Sequence, residues 1–255
     1  MINPKVTIVT VTYNAEEILE ETIKSVINQS YEHIEYIIID GASTDGTVDI
    51  IKKYEDHIDY WVSEADDGIY YAMNKAIEKA TGTFINFMNA GDTFADLDTV
   101  AYVMRHKSDD AELIYGNYKK KNHSKIVKAL DKKEWHRNMP FCHQTLFTKT
   151  DIMKNELFDT SFTLAADHNF IVKMYQENRI FFYIDRVIAI FAPGGFATSH
   201  QLLMNVESLK VLLNNHVEMS EIVKSEWYKS IQKQSAFSTK LKKLGSIIIK
   251  KLRGD

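Results

Sequence analysis

The chain has 255 residues, 45% of them hydrophobic and 26% charged, enough for one sizeable α/β core with an appendage. Its single cysteine, Cys142, excludes an internal disulfide, and no apolar stretch reaches the roughly 20 residues that a membrane span needs. The net charge of −4 is uneven: from Lys224 to Asp255 there are nine Lys or Arg against two acids, so the body is acidic and unsuited to general nucleic-acid binding.

The opening MINPKVTIVTVTYN runs straight into an apolar strand. It lacks the charged region, long apolar core and cleavage site of a secretory leader, so a cytoplasmic location is expected. Val6 to Val11 is β-branched throughout, the pattern of a central strand. Ile18, Leu19, Thr22, Ile23, Val26 and Ile27 then form a helical stripe. Ile34 to Ile39 reads as a second buried strand ending in Asp40-Gly41, followed by a turn at Ser43 to Gly46 and a helix over 47–54. A short strand at Tyr60 to Val62 precedes a helix over 69–79, stopped by Thr81-Gly82. The strand that begins at Phe84 ends in Asn89-Ala90-Gly91-Asp92.

Strands alternating with helices predict a mostly parallel sheet, whose ligands bind beyond the carboxyl ends of the strands. Three polar clusters fall there: Tyr13-Asn14, Asp40 to Asp45, and Asn89 to Asp92. The second half is less regular. Strands are expected at Leu113 to Tyr115 and Ile126-Val127, around a basic turn at Lys119-Lys120-Lys121. Cys142 to Thr148 alternates apolar and polar residues, 167–176 reads as a helix, 180–191 as a strand, Gly194-Gly195 as a loop and 201–213 as a helix. Without repeats or a Pro/Gly-rich linker, the division expected is a domain over 1–218 and a basic amphipathic helical extension over 219–255.

Asp40, at a strand end, can accept from a pyrimidine imide N–H or a ribose hydroxyl; a turn-forming Asp is the alternative. Glu64 to Asp67 precede Gly68 and a helix, where acids also serve as caps. Asp92 is sharper. A bare carboxylate would repel a nucleoside diphosphate, and a divalent cation between them removes the conflict, since Mg²⁺ takes one or two protein carboxylates plus phosphate oxygens and water. A helix cap or Asx turn at Asp92-Thr93 is the competing role.

The stretches TVTYNAEE, IIIDGASTDGT and DDGIYYAMNKAIEKATGTFINFMNAGD resemble family 2 glycosyltransferases, densely from Val6 to Thr93 and more thinly through CHQTLF and LAADHNF to Gly195. The resemblance implies a GT-A fold, a Rossmann-like and mostly parallel sheet flanked by helices. It places Asn89 to Asp92 where the family carries its metal-binding DXD motif. Asp92 is then the ligand of Mn²⁺ or Mg²⁺, and Asn89 stands where an Asp is frequent. By the same resemblance Asp40 contacts the base, with Thr12, Tyr13 and Asn14 around it, while Asp67 and Asn74 help hold the nucleotide or donor sugar. Asp167, after a small Ala pair, is the catalytic base; a cap of the helix that follows is the alternative, and the two roles are compatible. His143 and Gln144 face the acceptor or reach the diphosphate or metal, and His200 is a metal or phosphate contact; structural hydrogen bonding is the alternative for each histidine.

These roles imply an inverting single displacement on a nucleotide sugar, with a UDP-sugar favoured because Asp40 suits uracil. No G-x-G-x-x-G or G-x-x-x-x-G-K-[ST] is present, which argues against a dehydrogenase or a P-loop enzyme. A non-catalytic nucleotide-sugar-binding module and a GDP-sugar-dependent transferase stay open. The resemblance implies a surface-glycan acceptor, capsule or O-antigen, on a lipid carrier. Phe237, Leu241, Leu244, Ile248 and Leu252 line one face of a basic helix, which suits the anionic inner surface of the cell membrane or, alternatively, packing on its own domain or a second copy in a homo-oligomer.

Overall fold

The computed structural model describes residues 3–130, 135–194 and 199–237, the last four without their side chains. Contacts divide the chain into two compact units. The first comprises the chain up to Ala129, Phe141–Thr160 and Asn178–Pro193; the second comprises Leu130–Pro140, Ser161–Glu177 and the chain from Gly194 onward. Helices on both sides of residue 218 fall in the second unit.

The first unit is built on β1 (Val6–Thr12), β2 (Ile34–Asp40), β3 (Tyr60–Ser63), β4 (Phe84–Phe87), β5 (Thr93–Phe94), β6 (Leu113–Lys120), β7 (Ile126–Val127), β8 (Phe147–Lys149) and β9 (Phe181–Phe191). They form one sheet in the order β3-β2-β1-β4-β8-β6-β9-β5, with β7 on β6. Its helices are α1 (Leu19–Ile27), α2 (Thr47–Lys53), α3 (Ile69–Lys79), α4 (Thr99–His106) and α5 (Thr150–Asn155).

The parallel expectation holds from β3 to β4. Beyond β4 the sheet is mixed: β8 is antiparallel to both β4 and β6, β5 to β9 and β7 to β6, while β6 and β9 are parallel. A parallel neighbour needs a long crossover, whereas a connection as short as that between Lys120 and Ile126 allows an antiparallel one. Lys119 and Lys120, expected in a turn, end β6 as strand residues.

Every residue of β1 is buried because β2 and β4 flank it and both faces of the sheet are covered. This is why its sequence is continuous rather than alternating. The threonines fit because their hydroxyls find partners: Thr10 donates to the Met88 carbonyl at 2.8 Å. Helix α1 buries Leu19, Ile23 and Val26 with Ile8, Ile38 and Phe147. Each such side chain contributes about 1.5–3 kcal/mol by leaving water.

The second unit holds α6 (Ala166–Gln176), α7 (Gln201–Asn214), α8 (Met219–Ile222) and α9 (Glu226–Phe237). Leu209, Leu212, Ile222, Trp227 and Ile231 form its core. Apart from the backbone of Phe237, the amphipathic stripe expected to end the chain lies outside the described residues, as does Gly195. Among the described residues no helix is long and apolar enough to cross a membrane.

Candidate active site

Thr12, Asp40 and Ser63 end β1, β2 and β3 in register, at the carboxyl edge of the parallel strands. Asp40 is fully buried. Its carboxylate accepts from Ser43 N at 2.9 Å, Ser43 Oγ at 2.5 Å and Ser63 Oγ at 2.6 Å. Ser43 Oγ in turn accepts from Asn14 N at 2.8 Å, and Asn14 Oδ1 accepts from Thr44 N at 2.9 Å. The three strand ends are therefore tied by side chains as well as by the ladder. Asn14 and Ala42 sit at φ 47° and 61°. The left-handed region costs an Ala roughly 1–2 kcal/mol, so this loop is held in shape by its neighbours.

Thr12 Oγ1 is buried without a hydrogen-bond partner, and Tyr13 is 65% exposed. A Cβ placed on Gly41 would stand 3.1 Å from Asp66 Oδ2 and 3.4 Å from the Tyr13 ring. Asp66, to which the sequence assigned only a capping role, thus reaches this edge, and it also accepts from Gly68 N at 2.9 Å. Asp67 beside it is exposed. Asn74 lies in α3 and uses both ends of its amide on the Phe158 backbone, each at 2.9 Å, a staple between the helix and the 157–158 segment.

After β4, Asn89 to Asp92 forms a β-turn closed by Asp92 N donating to Asn89 O at 3.0 Å. Gly91 is its third residue at φ 96°, the position that requires a glycine in a type II turn. Thr22 of α1 pins the turn twice: its hydroxyl donates to Asp92 O at 2.8 Å and accepts from Gly91 N at 2.9 Å. The sequence showed Thr22 as one residue of an apolar stripe; no local signal marks a partner 69 residues away.

The Asp92 side chain is buried, with Oδ2 accepting from Gln144 Nε2 at 2.6 Å and Oδ1 from Ala192 N at 2.8 Å. Burial pushes its carboxyl above the ordinary Asp value; Ala192 N–H, Gln144 and nearby His143 oppose the rise without cancelling it. Asn89 Nδ2 lies 3.2 Å from His143 Nε2, and Asn89 Oδ1 is buried with no partner. Asn86 of β4 anchors the His143–Thr145 turn by donating to Gln144 O and Leu146 O, both at 2.9 Å. The structure therefore gathers Asn89, Asp92, His143 and Gln144 into one cluster. Among the described residues no three His, Cys, Asp or Glu side chains group as metal ligands.

In the second unit, Asp167 is the second residue of α6 and is half-buried, between fully buried Ala165-Ala166 and buried His168. Its Oδ1 accepts from His168 N at 2.8 Å. Burial lowers the His168 imidazole to about 4, against a small opposing pull from Asp167 and the Trp135 backbone, so the ring is neutral at pH 7. His200 is exposed just before α7, with Nδ1 3.0 Å from Ser199 Oγ. Phe141 is core, its ring stacked 4.4 Å from that of Tyr115.

A model of the family described as glycosyl transferase family 2 matches residues 7–212. A putative teichuronic acid biosynthesis glycosyltransferase, TuaG, of Bacillus subtilis (strain 168) is 41% identical over 92 residues, 35% of this chain and 36% of that one. A PGL/p-HBAD biosynthesis glycosyltransferase of Mycobacterium bovis (strain BCG / Pasteur 1173P2) is 27% identical over 193 residues, 69% and 72% of the two chains. The match to the first of these spans little more than a third of that relative's length. Among solved structures, S. aureus TarS 1-349 in complex with UDP-GlcNAc superposes with a TM-score of 0.64 at 19% identity, covering 92% of this chain and 73% of that one. The mannosyltransferase PcManGT from Pyrobaculum calidifontis in complex with GDP-Man and Mn²⁺ gives 0.67 at 16%, covering 97% and 81%. At these identities the likeness is one of fold.

Proposed function

The chain belongs to glycosyl transferase family 2, and from that premise we propose that it moves a sugar from a nucleotide-sugar donor to a glycan hydroxyl with inversion. The observation that carries the reading is the Asn89–Asp92 turn. It presents a buried carboxylate and a buried, unpartnered amide oxygen at the edge of the parallel sheet where ligands bind. Two oxygen donors on one turn fit a hard divalent cation such as Mg²⁺ or Mn²⁺, and His143 adjoins them. When bound, the cation would stabilise the charge that develops on the leaving diphosphate.

This chain's own residues supply the rest. Gln144 and the Ala192 N–H orient Asp92. Thr12, Tyr13 and Asn14 wall the base pocket, and Asp66 and Asp67 lie on the donor side. Asp40 shapes the pocket floor through Ser43 and Ser63, and it reaches a uracil imide if one serine hydroxyl turns away. Asn74 we place as a structural staple rather than a ligand. Asp167 takes the proton from the attacking acceptor hydroxyl. A single displacement through an oxocarbenium-like transition state requires no enzyme nucleophile. His200 is kept as a phosphate contact of the same reaction.

A UDP-sugar is the favoured donor and a GDP-sugar the alternative. The acceptor we propose is a surface-polysaccharide intermediate, capsule or O-antigen type, on a lipid carrier. The basic stripe that begins at Phe237 then holds the protein against the anionic inner face of the membrane, each basic residue contributing on the order of 1 kcal/mol.

A hydrolysis screen over UDP- and GDP-sugars with Mn²⁺ and Mg²⁺ tests the core of this reading. Turnover of one UDP-sugar, lost in Asp92→Ala, is expected. Tight nucleotide binding with no turnover of any donor would leave a binding module instead. Removing 235–255 is expected to release the protein from anionic liposomes without slowing hydrolysis; equal sedimentation of both forms overturns the anchor.

A further inference from the structure

Glu207 lies on α7, and its side chain is buried. Among the described residues no Lys or Arg pairs with it; three consecutive backbone amides meet its charge instead. Thr163 N donates to Oε1 at 3.0 Å, while Leu164 N and Ala165 N donate to Oε2 at 2.7 and 3.1 Å. These amides lead directly into α6, whose cap residue, Ala165, has no side chain able to cap. Helix starts leave backbone N–H groups unmet and favour a negative charge nearby. Glu207 meets the N–H of the cap residue Ala165 from 42 residues away and brings that charge, while its bonds to Thr163 and Leu164 hold the segment that leads in.

A Ser or Asp at 165 would accept from amides inside the first turn and leave those of 163–165 unmet, and it would put a polar side chain beside Asp167. Capping from α7 instead leaves the tightly packed Ala165-Ala166 pair there and fixes the backbone on which Asp167 stands. We propose that Glu207 is the positioning residue for Asp167, setting the carboxylate's place relative to the acceptor hydroxyl without touching substrate. This rests on the reading of Asp167 as the general base.

The carboxylate itself matters. Glutamine at 207 has one acceptor oxygen, and its NH₂ would confront at least one of three amides that also donate. A displacement of the base by about 1 Å is enough to cost about 10²-fold in rate.

The test compares Glu207→Gln, Asp167→Asn and the double variant in full-length protein. Hydrolysis is followed on the UDP-hexose that the wild type turns over fastest, with rates expressed per UDP-binding site counted by calorimetry. Glu207→Gln is expected to lower kcat about 10²-fold while donor KM stays within about twofold, the signature of a loss felt only in the transition state. In the Asp167→Asn background the same change is expected to add nothing, because the two residues act as one unit. Wild-type kcat in Glu207→Gln, or two losses that multiply, overturns the proposal. If Glu207→Gln fails to fold by circular dichroism, Glu207→Asp keeps the charge one methylene short, and an undiminished kcat there overturns it equally. Full activity in Asp167→Asn instead removes the base assignment itself, a distinct failure.

Discussion

Glu35 and Asp92 are buried carboxylates of the same unit, one near the amino ends of the parallel strands and one beyond their carboxyl ends. Burial by itself raises a carboxyl, and both feel it. Around Glu35 the rise is more than offset: Thr7 Oγ1 donates at 2.5 Å, Thr81 N at 2.7 Å, the Thr81 hydroxyl also donates, and Lys5 Nζ pairs at 3.0 Å. Its carboxyl is held at about 2. Around Asp92 two neutral donors and His143 leave the carboxyl above its ordinary value, and among the described residues no Lys or Arg pairs with it. Glu35 is a finished structural joint, whereas the burial of Asp92 is not offset by its protein neighbours, which is the environment that the proposed metal role calls for.

A third carboxylate extends the comparison and carries the largest expected effect. Asp167, half-buried in the first turn of α6, is the proposed general base. Asp167→Asn is expected to lower transfer by about 10²–10⁴, with calorimetric UDP affinity unchanged; transfer within a fewfold of wild type assigns the base elsewhere. The product should have the opposite anomeric configuration to the donor, and an NMR spectrum showing retention would exclude single displacement.

Asp92→Asn comes next. Donor turnover is expected to fall about 10²–10³, losing its response to a Mn²⁺ titration. Replacing an under-compensated charge should leave the melting temperature within about 2–4 °C of wild type, the shift equivalent to 1 kcal/mol in a chain of this size. A large loss of stability with retained turnover would make Asp92 the structural joint and break the contrast.

Glu35→Gln should do the reverse, destabilising by about 1–3 kcal/mol because buried donors lose their acceptor, while turnover of the folded protein is unchanged. The pH dependence has a definite sign. Glu35 falls from 4.5 in the unfolded chain to about 2 in the folded one, so its contribution is complete above pH 4.5 and disappears as pH falls toward 2. Urea midpoints of wild type and variant should converge over that window; a constant gap refutes the assignment. The smallest effect is Thr22→Val, about 1 kcal/mol in stability from the lost hydrogen bonds. A modest rise in donor KM should accompany it if the turn loosens, and an unchanged KM means Gly91 alone sets the turn.

Legibility in the sequence followed the range of the interaction. Val6–Thr12 could be read because β-branched residues in an unbroken apolar run have one comfortable place, a strand covered on both faces. The Asn89–Asp92 cluster could be read because small and polar residues end an apolar run there, and Gly91 readily takes the positive φ that its turn uses. Helix α4 escaped, since eight residues with four buried give too short a period to stand out. Asn74, read as a donor contact, has its amide on the Phe158 backbone 84 residues on. Asp66 and Asp67 are adjacent acids before a glycine; their order along the chain does not say which one reaches the strand ends.

The sequence alone determined the strand–helix alternation of the first half, the edge at which polar clusters gather, and the family likeness, because these depend on local periodicity and turn chemistry. The tertiary structure decided the antiparallel pairings beyond β4, the partners that hold Asp92, the staple at Asn74 and the capping of α6 by Glu207. Apart from the short β6–β7 pairing, each of those is a contact between residues dozens of positions apart. The choice among possible partners is made by which backbone groups are buried unmet when the chain packs, and no stretch of sequence records that before it folds.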